Sequence, residues 1–174
     1  MSVALRRIYC IDTSSLAYCN RSFGARSSRL TFYRPIWSLL DTMADEARLQ
    51  APHPVWIEIT KNHDDIGKWA RAHPAVFRLK GEYAARVTEI LKEPGQRLVD
   101  PTAPRGGEEA DPWVIALAEG ICATPATLWE TQIGVVVSEE TKVGGISDIC
   151  RRRNVEHVDF TAMLTAEGLS LGAS

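Results

Sequence analysis

Two apolar segments of this 174-residue chain end in carboxylate side chains, and helical segments lie between them. Residues 7–12 (RIYCID) contain β-branched and aromatic residues and end at Asp12. Residues 135–137 (VVV) are followed, after one serine, by Glu139 and Glu140. Short apolar runs bounded by polar residues are typical of buried strands, and strands that alternate with helices favour a parallel sheet. We therefore predict an α/β fold, a three-layer α/β/α sandwich with a central parallel sheet.

Helical patterns occupy most of the remaining chain. Pro35 suits the first turn of a helix, and apolar residues follow it at helical spacing. Pro54 suits the start of a second helix that continues towards Trp69, although residues 55–59 alone also fit a strand. The length fits one domain over residues 1–174. Further helices are predicted over residues 81–93, 113–118 (closed by Gly120), 147–153 and 160–167, and a last strand over 157–158.

Charge, hydropathy and cysteine content exclude several classes of protein. With 20 Lys and Arg against 22 Asp and Glu, the net charge is −2, unlike proteins that coat nucleic acid through overall positive charge. No apolar run approaches the ~20 residues that cross a bilayer, and Arg6 and Arg7 interrupt what would be a signal-peptide core. The four cysteines form no CxxC pair, which favours free thiols over disulfides or a zinc site. We expect a cytoplasmic protein with no membrane segment.

Acidic residues from distant parts of the chain are expected to meet at one edge of the sheet. Ligands of open parallel sheets bind beyond the C-terminal ends of the strands, where Asp12 and the pair Glu139 and Glu140 fall. Asp111 begins a helix before the second of these strands, and Glu58 lies early in another helix. Two carboxylates ~4 Å apart repel by about 4 kcal/mol at an effective dielectric constant near 20. An all-oxygen cluster of this kind suits Mg²⁺ or Mn²⁺, ions that support phosphodiester cleavage.

The ordered acidic motifs resemble the PIN domain over residues 8–160. The motifs are Ile-Asp12-Thr-Ser, Pro-x-x-x-Glu58, Glu-Ala-Asp111-Pro-Trp-Val-Ile-Ala-Leu-Ala and Val-Val-Ser138-Glu-Glu. The resemblance implies a parallel-sheet α/β/α fold and a nuclease activity that depends on Mg²⁺ or Mn²⁺. It is closest to a bacterial PIN-like branch, and many PIN proteins are VapC-type ribonuclease toxins of toxin–antitoxin pairs.

The resemblance also implies roles for individual residues. Asp12 matches the first metal ligand, with Thr13 or Ser14 as its hydroxyl neighbour. Glu58 matches the second acid, and Asp111 matches the third, a direct metal ligand.

Two residues compete for the role of the fourth acid. The family usually has Thr-x-Asp after its later strand, whereas this chain places the longer side chain of Glu140 there. Asp148, in the Gly-rich context of residues 144–148 (GGISD), is the other candidate. The expected catalytic set is therefore Asp12, Glu58 and Asp111 with Asp148 or Glu140, and the expected metal ligands are Asp12, Asp111, Asp148 and Glu58.

The resemblance implies an endoribonuclease that cleaves single-stranded RNA and leaves 5′-phosphate and 3′-hydroxyl ends. An antitoxin protein and a second copy of the chain are the implied partners. The irregular fourth acid and the acidic pI also fit a PIN-like module that binds RNA or protein without cleaving. A phosphatase or receiver-like domain built around Asp12 is a weaker alternative, because the commonest phosphatases carry an Asp where Ser14 stands.

Two arginine-rich segments, residues 21–34 and 151–153, are expected to be either solvated or in contact with RNA or a partner. The five tryptophans are expected in the core or an interface rather than as platforms for base stacking.

Overall fold

The segment that ends at Asp12 is the central strand of a five-stranded parallel sheet. The structure is a computed structural model that describes residues 4–24, 30–78, 81, 83–99, 109–127 and 130–169. The predicted α/β/α sandwich with a central parallel sheet is confirmed. Its strands are β1 (Ala4–Ile11), β2 (Leu49–Pro52), β3 (Phe77–Arg78), β4 (Glu130–Val137) and β5 (Glu156–Val158).

The strand order is β3-β2-β1-β4-β5, so the direction of chain progression reverses between β1 and β4. These two strands pair along their full length, from Ala4 opposite Glu130 to Ile11 opposite Val137. The last four residues of each strand are buried. The residues that follow, Asp12 and Ser138, therefore emerge side by side at the switch point of the sheet, which is where ligands bind in open α/β folds.

Helices fill the connections between the strands. They are α1 (Thr13–Phe23), α2 (Leu30–Asp45), α3 (His53–Thr60), α4 (Asp65–Ala72), α5 (Ala84–Ile90), α6 (Asp111–Cys122), α7 (Ile146–Arg152) and α8 (Phe160–Ala166), with a 3-10 turn at Pro74–Val76. Helix α6 packs on β1, β2 and β4 and contacts α5 and α7, whereas α1 contacts α2, α3, α4 and α8.

Close packing of α6 on β4 depends on Gly134. A Cβ atom at this position would lie 2.3 Å from the carbonyl oxygen of Ala118, so only glycine lets the helix approach the strand this closely. The residues of α6 from Val114 to Ala118 are fully buried as a result.

Several boundaries differ from the sequence-based predictions. Helix α2 begins at Leu30 and contains Pro35, because buried side chains such as Ile36 and Leu40 hold the helix together despite the missing N–H. The helix predicted from Pro54 to Trp69 is confirmed in its first part but divides into α3 and α4. Asp64 begins the second of these by accepting the N–H of Gly67 at 3.0 Å.

Strand β2 was not predicted from the sequence, and helix α6 continues past Gly120 to Cys122. Among the described residues, no helix combines the length and the hydropathy needed to cross a membrane. All four cysteines are free, with Cys10, Cys19 and Cys150 buried and Cys122 exposed.

Candidate functional site

Asp12 occupies the junction between β1 and β4. It caps α1, where its Oδ1 atom accepts the N–H of Ser15 at 2.9 Å. The hydroxyl of Ser14 lies 2.9 Å from both carboxylate oxygens, and the hydroxyl of Ser138 donates to Oδ2 at 2.9 Å. Because Ser138 follows β4, the last of these bonds joins the ends of two neighbouring strands. Asp12 is held in one orientation by these bonds and is only 3% exposed.

Burial also makes the carboxylate of Asp12 costly to ionise. It raises the pKa of Asp12 to about 6. The hydrogen bonds from Ser15, Ser14 and Ser138 lower the pKa, and the negative charge of Glu140 raises it. The site therefore prefers a proton or another positive charge next to this carboxylate.

Asp111 is the first residue of α6, and its carboxyl group is the most strongly perturbed of the predicted acids. Its pKa rises to about 7, first because of burial and then because of the charges of Glu140, Asp12, Glu58 and Glu109. Like charges in one poorly solvated region disfavour each other's ionisation. We therefore use the name acidic cluster for Asp111 and three of the acids whose charges raise its pKa, Asp12, Glu58 and Glu140.

Glu58 reaches the acidic cluster from α3. The hydroxyl of Thr13 donates a short hydrogen bond to its Oε2 atom, which ties α3 to the first turn of α1. Thr13 and Ser14 were the two candidates for the hydroxyl neighbour of Asp12. In the structure each of these hydroxyls binds a different acid. Ser14 binds Asp12, and Thr13 binds Glu58.

The adjacent glutamates after β4 have separate roles. Glu139 accepts the hydroxyl of Ser15 at 3.2 Å and the N–H of Phe160 at 2.9 Å, so it ties α8 to α1. The charge of Glu140 raises the pKa of Asp12 and of Asp111, and its Oε2 atom accepts the N–H of Ile146 at 3.2 Å. The Nζ atom of Lys142 lies 3.2 Å from the other carboxylate oxygen, Oε1.

Asp148, the other candidate for the fourth acid, has positively charged partners of its own. Its carboxylate accepts the N–H of Gly144 at 3.0 Å and forms ion pairs with Arg151 and Arg152. The bond from Gly144, followed by the charges of the two arginines, lowers the pKa of Asp148. Asp148 is not among the groups that dominate the pKa shifts of Asp12 and Asp111. It holds the loop before α7 in place.

Comparisons with known proteins assign the chain to a family. Residues 9–171 match the sequence model of a family described as a domain of unknown function, DUF4411. The chain belongs to this family. No curated protein and no solved structure matches the DUF4411 chain.

The acidic cluster of this DUF4411 protein fits a hard divalent cation by the chemistry of its donors. All four side chains are carboxylates, and they come from four separate segments of the chain. Within the described residues, however, no three His, Cys, Asp or Glu side chains converge closely enough to hold a metal ion as they stand. Ligation therefore requires changes of side-chain rotamer, for which the glutamates, with three side-chain torsions each, have the greatest freedom.

Three features of the site were not predicted from the sequence. They are the Ser138 hydroxyl bound to Asp12, the ion pair of Lys142 with Glu140, and the packing of Gly145 against the Glu140 carboxylate. In the sequence, the indication of these three features is the polar and glycine-rich composition of residues 138–145. Arg26 and Arg29 of the arginine-rich segment 21–34, and Trp129 of the five tryptophans, lie outside the described residues.

Proposed function

We propose that this protein is a metal-dependent endoribonuclease of the PIN type that cleaves single-stranded RNA. The observation that supports the proposal is the position of Asp12 at the switch point of the sheet, with the pKa of Asp12 and of Asp111 raised by burial and by the charges of other carboxylates. Carboxyl groups are kept close in this way at cation and catalytic sites, because their repulsion is otherwise unfavourable.

In the proposed enzyme, Asp12 and Asp111 hold Mg²⁺ or Mn²⁺, with Glu58 and Glu140 completing the acidic set. Such an ion, when bound, activates water for attack on phosphorus and stabilises charge on the leaving oxygen. The protein's own contribution is orientation. Ser14, Ser15 and Ser138 fix the Asp12 carboxylate. Thr13 fixes that of Glu58.

Proton release accompanies cation binding in this proposal. Because the pKa of Asp111 lies at about 7, its carboxyl group is partly protonated near neutral pH. The Asp111 carboxyl group would release this proton to solvent on taking the ionised form in which it would hold a cation. The products expected are a 5′-phosphate and a 3′-hydroxyl, with no covalent protein intermediate.

The toxin role belongs to the same proposal. It implies a partner antitoxin, a homodimer and a cytoplasmic location. The buried free thiols of Cys10, Cys19 and Cys150 support a reducing compartment. Co-expression with the product of the neighbouring reading frame, followed by size-exclusion chromatography, tests for a bound antitoxin and for dimers.

Labelled single-stranded RNA incubated with the protein, in Mn²⁺ and in EDTA, tests the nuclease proposal. We expect cleavage in Mn²⁺ and none in EDTA. Asp12→Asn and Asp111→Asn should each lower the rate by at least about 100-fold, as expected for removal of a group that acts on the reacting centre. Glu89→Gln, which changes an exposed acid of α5 paired with Lys92, is the matched control. Cleavage that persists in EDTA or in both variants would overturn the proposal.

A second function, RNA or protein binding without cleavage, is favoured by one observation. The Glu140 carboxylate is already engaged by Lys142 and by the N–H of Ile146. A pure binding module should show no cleavage at any Mn²⁺ concentration, and its melting temperature should not respond to Mn²⁺. RNA cleavage in Mn²⁺, or a melting temperature that responds to Mn²⁺, would therefore distinguish the nuclease from the pure binding module.

A further inference from the structure

A shallow groove opens next to Glu140, one member of the acidic cluster. It lies between the loop after β4 and helix α7, and its volume is about 260 Å³. The lining residues are Thr141, Lys142, Val143, Ser147, Asp148 and Arg151. One wall residue also contacts the acidic cluster, because the Nζ atom of Lys142 lies 3.2 Å from the Glu140 carboxylate.

Positive side chains dominate this groove. The side chain of Lys142 is 82% exposed and that of Arg151 is 80% exposed, so both present their charges to solvent. The single acid of the lining, Asp148, is buried and is shared between Arg151 and Arg152. Lys142, Arg151 and Arg152 face two carboxylates, those of Glu140 and Asp148, so one positive charge remains in excess at the mouth of the groove.

The other arginines of this region are less available. Arg153 is bound to Glu119 and Glu93, and Arg152 also donates to the carbonyl of Pro94 at 2.7 Å. Of the basic segment 151–153, Arg151 is therefore the residue best placed to meet a ligand.

We propose that this groove binds the phosphodiester backbone of single-stranded RNA next to the bond that is cleaved, with Lys142 and Arg151 as the phosphate-binding side chains. The inference rests on the proposed function. An acidic cluster in a protein of net charge −2 repels RNA, so substrate binding needs a local source of positive charge. The hydroxyls of Thr141 and Ser147 add hydrogen-bond donors for phosphate oxygens, and the 80% exposed Val143 offers an apolar contact for a ribose or base.

A second groove, of about 630 Å³, is larger but has the wrong charge for this role. It lies between α1 and α4, and its lining includes Asp64 and Asp65. The lining contains one lysine, Lys68, against these two carboxylates. The groove beside Glu140 is therefore the better place for a polyanion.

Binding of a fluorescein-labelled single-stranded RNA, followed by anisotropy over a range of KCl concentrations, tests the inference. One series of titrations is made in EDTA. A second series is made in Mg²⁺ with proteins that all carry the additional substitution Asp12→Asn. We expect Lys142→Gln and Arg151→Gln each to weaken binding roughly fivefold at low salt. Each should also reduce the slope of log K against log salt concentration by about 0.7, the value for one lost phosphate contact on a single strand.

Three comparisons separate phosphate binding from a loss of structure. Lys68→Gln, which removes an exposed lysine of α4 outside the lining of this groove, should bind RNA like the wild type. Arg151→Lys should keep most of the affinity and the salt slope. The melting temperature of every variant is measured, because Arg151 also pairs with Asp148.

Failure of this inference and failure of the nuclease proposal are distinguishable. If Lys142→Gln and Arg151→Gln bind RNA like Lys68→Gln, or if the wild type binds no RNA in either condition, the groove is not the phosphate site. If the two variants weaken binding but the wild type does not cleave RNA in Mn²⁺, the groove is supported and the nuclease proposal falls. If the wild type cleaves RNA and the variants have an unchanged KM, only the groove proposal falls.

Discussion

The carboxylate of Glu140 occupies the space that a side chain at position 145 would need. A Cβ atom built on Gly145 would lie 2.9 Å from the carboxylate carbon of Glu140 and 2.9 Å from its Oε2 atom. The backbone of Gly145 is extended, with φ −84° and ψ −165°, so alanine is acceptable there on conformational grounds. The glycine is therefore required by the position of the carboxylate rather than by the backbone.

Gly145→Ala should consequently displace Glu140 without unfolding the protein. The added methyl group meets the mobile end of one side chain, so the melting temperature should change by no more than about 3 °C. Misplacing a catalytic carboxylate by about 1 Å should lower the rate of RNA cleavage by roughly 100-fold. Gly81→Ala is the matched control, since nothing lies within 4 Å of a Cβ atom there. Equal cleavage rates for the two variants would show that the position of Glu140 does not matter.

Binding of Mn²⁺ should stabilise the folded protein. An ion at 100 times its Kd adds about 2.7 kcal/mol to the free energy of unfolding, which for a chain of this size raises the melting temperature by roughly 5–10 °C. Asp111→Asn should abolish the rise, whereas Glu89→Gln should keep it. Differential scanning fluorimetry with and without Mn²⁺ measures this, and a wild-type protein whose melting temperature ignores Mn²⁺ would contradict the metal site.

The metal-free protein should lose stability as the pH rises. The pKa of Asp12 is raised to about 6 and that of Asp111 to about 7, so between about pH 4 and pH 7 the folded chain binds more protons than the unfolded chain. The free energy of unfolding therefore falls as pH increases through this window. For Asp12 alone, which is almost fully buried, the change is about 3 kcal/mol.

Urea unfolding of wild type and Asp12→Asn in EDTA, at several pH values, measures this effect. Asparagine is chosen because the Asp12 side chain also caps α1, and an amide oxygen can still accept the N–H of Ser15. His157, whose pKa is lowered by burial, changes stability in the opposite direction below about pH 6.5, so the difference between the two proteins is the relevant quantity. A difference that does not vary with pH would show that Asp12 ionises normally.

Glu140→Gln and Asp148→Asn should have opposite effects. Glu140→Gln keeps an oxygen for the N–H of Ile146, so it should leave the melting temperature almost unchanged and reduce the rise caused by Mn²⁺. Asp148→Asn leaves Arg151 and Arg152 without their carboxylate, so it should lower the melting temperature and keep the full response to Mn²⁺. The reverse pattern in scanning fluorimetry would identify Asp148 as the fourth acid.

Parts of the fold were predictable because the signals are local. The strand ending before Asp12 and the helix beginning at Asp111 are long, strongly patterned segments, and both are confirmed. Strand β2 was missed because its four residues are too few to show a periodicity and end in a proline. They form a strand because Leu49 and Gln50 pair with Tyr9 and Cys10 of β1.

The ion pairs of Asp148 could have been predicted from its spacing. Arg151 and Arg152 follow it by three and four residues, the separations at which side chains meet on a helix. That spacing was available in the sequence and favours a structural role for Asp148 over a place in the acidic cluster.

The sequence alone determined that strands and helices alternate and that acids follow the strands, because both depend on residues close together in the chain. Only the tertiary structure decided which of two neighbouring glutamates faces the other acids. Glu139 is turned away by bonds to Ser15 and Phe160, and Glu140 is held by Ile146 and Lys142. Ser15 and Phe160 lie far from Glu139 in sequence, so the position of the Glu139 carboxylate is fixed only once the strands have paired and the helices have packed.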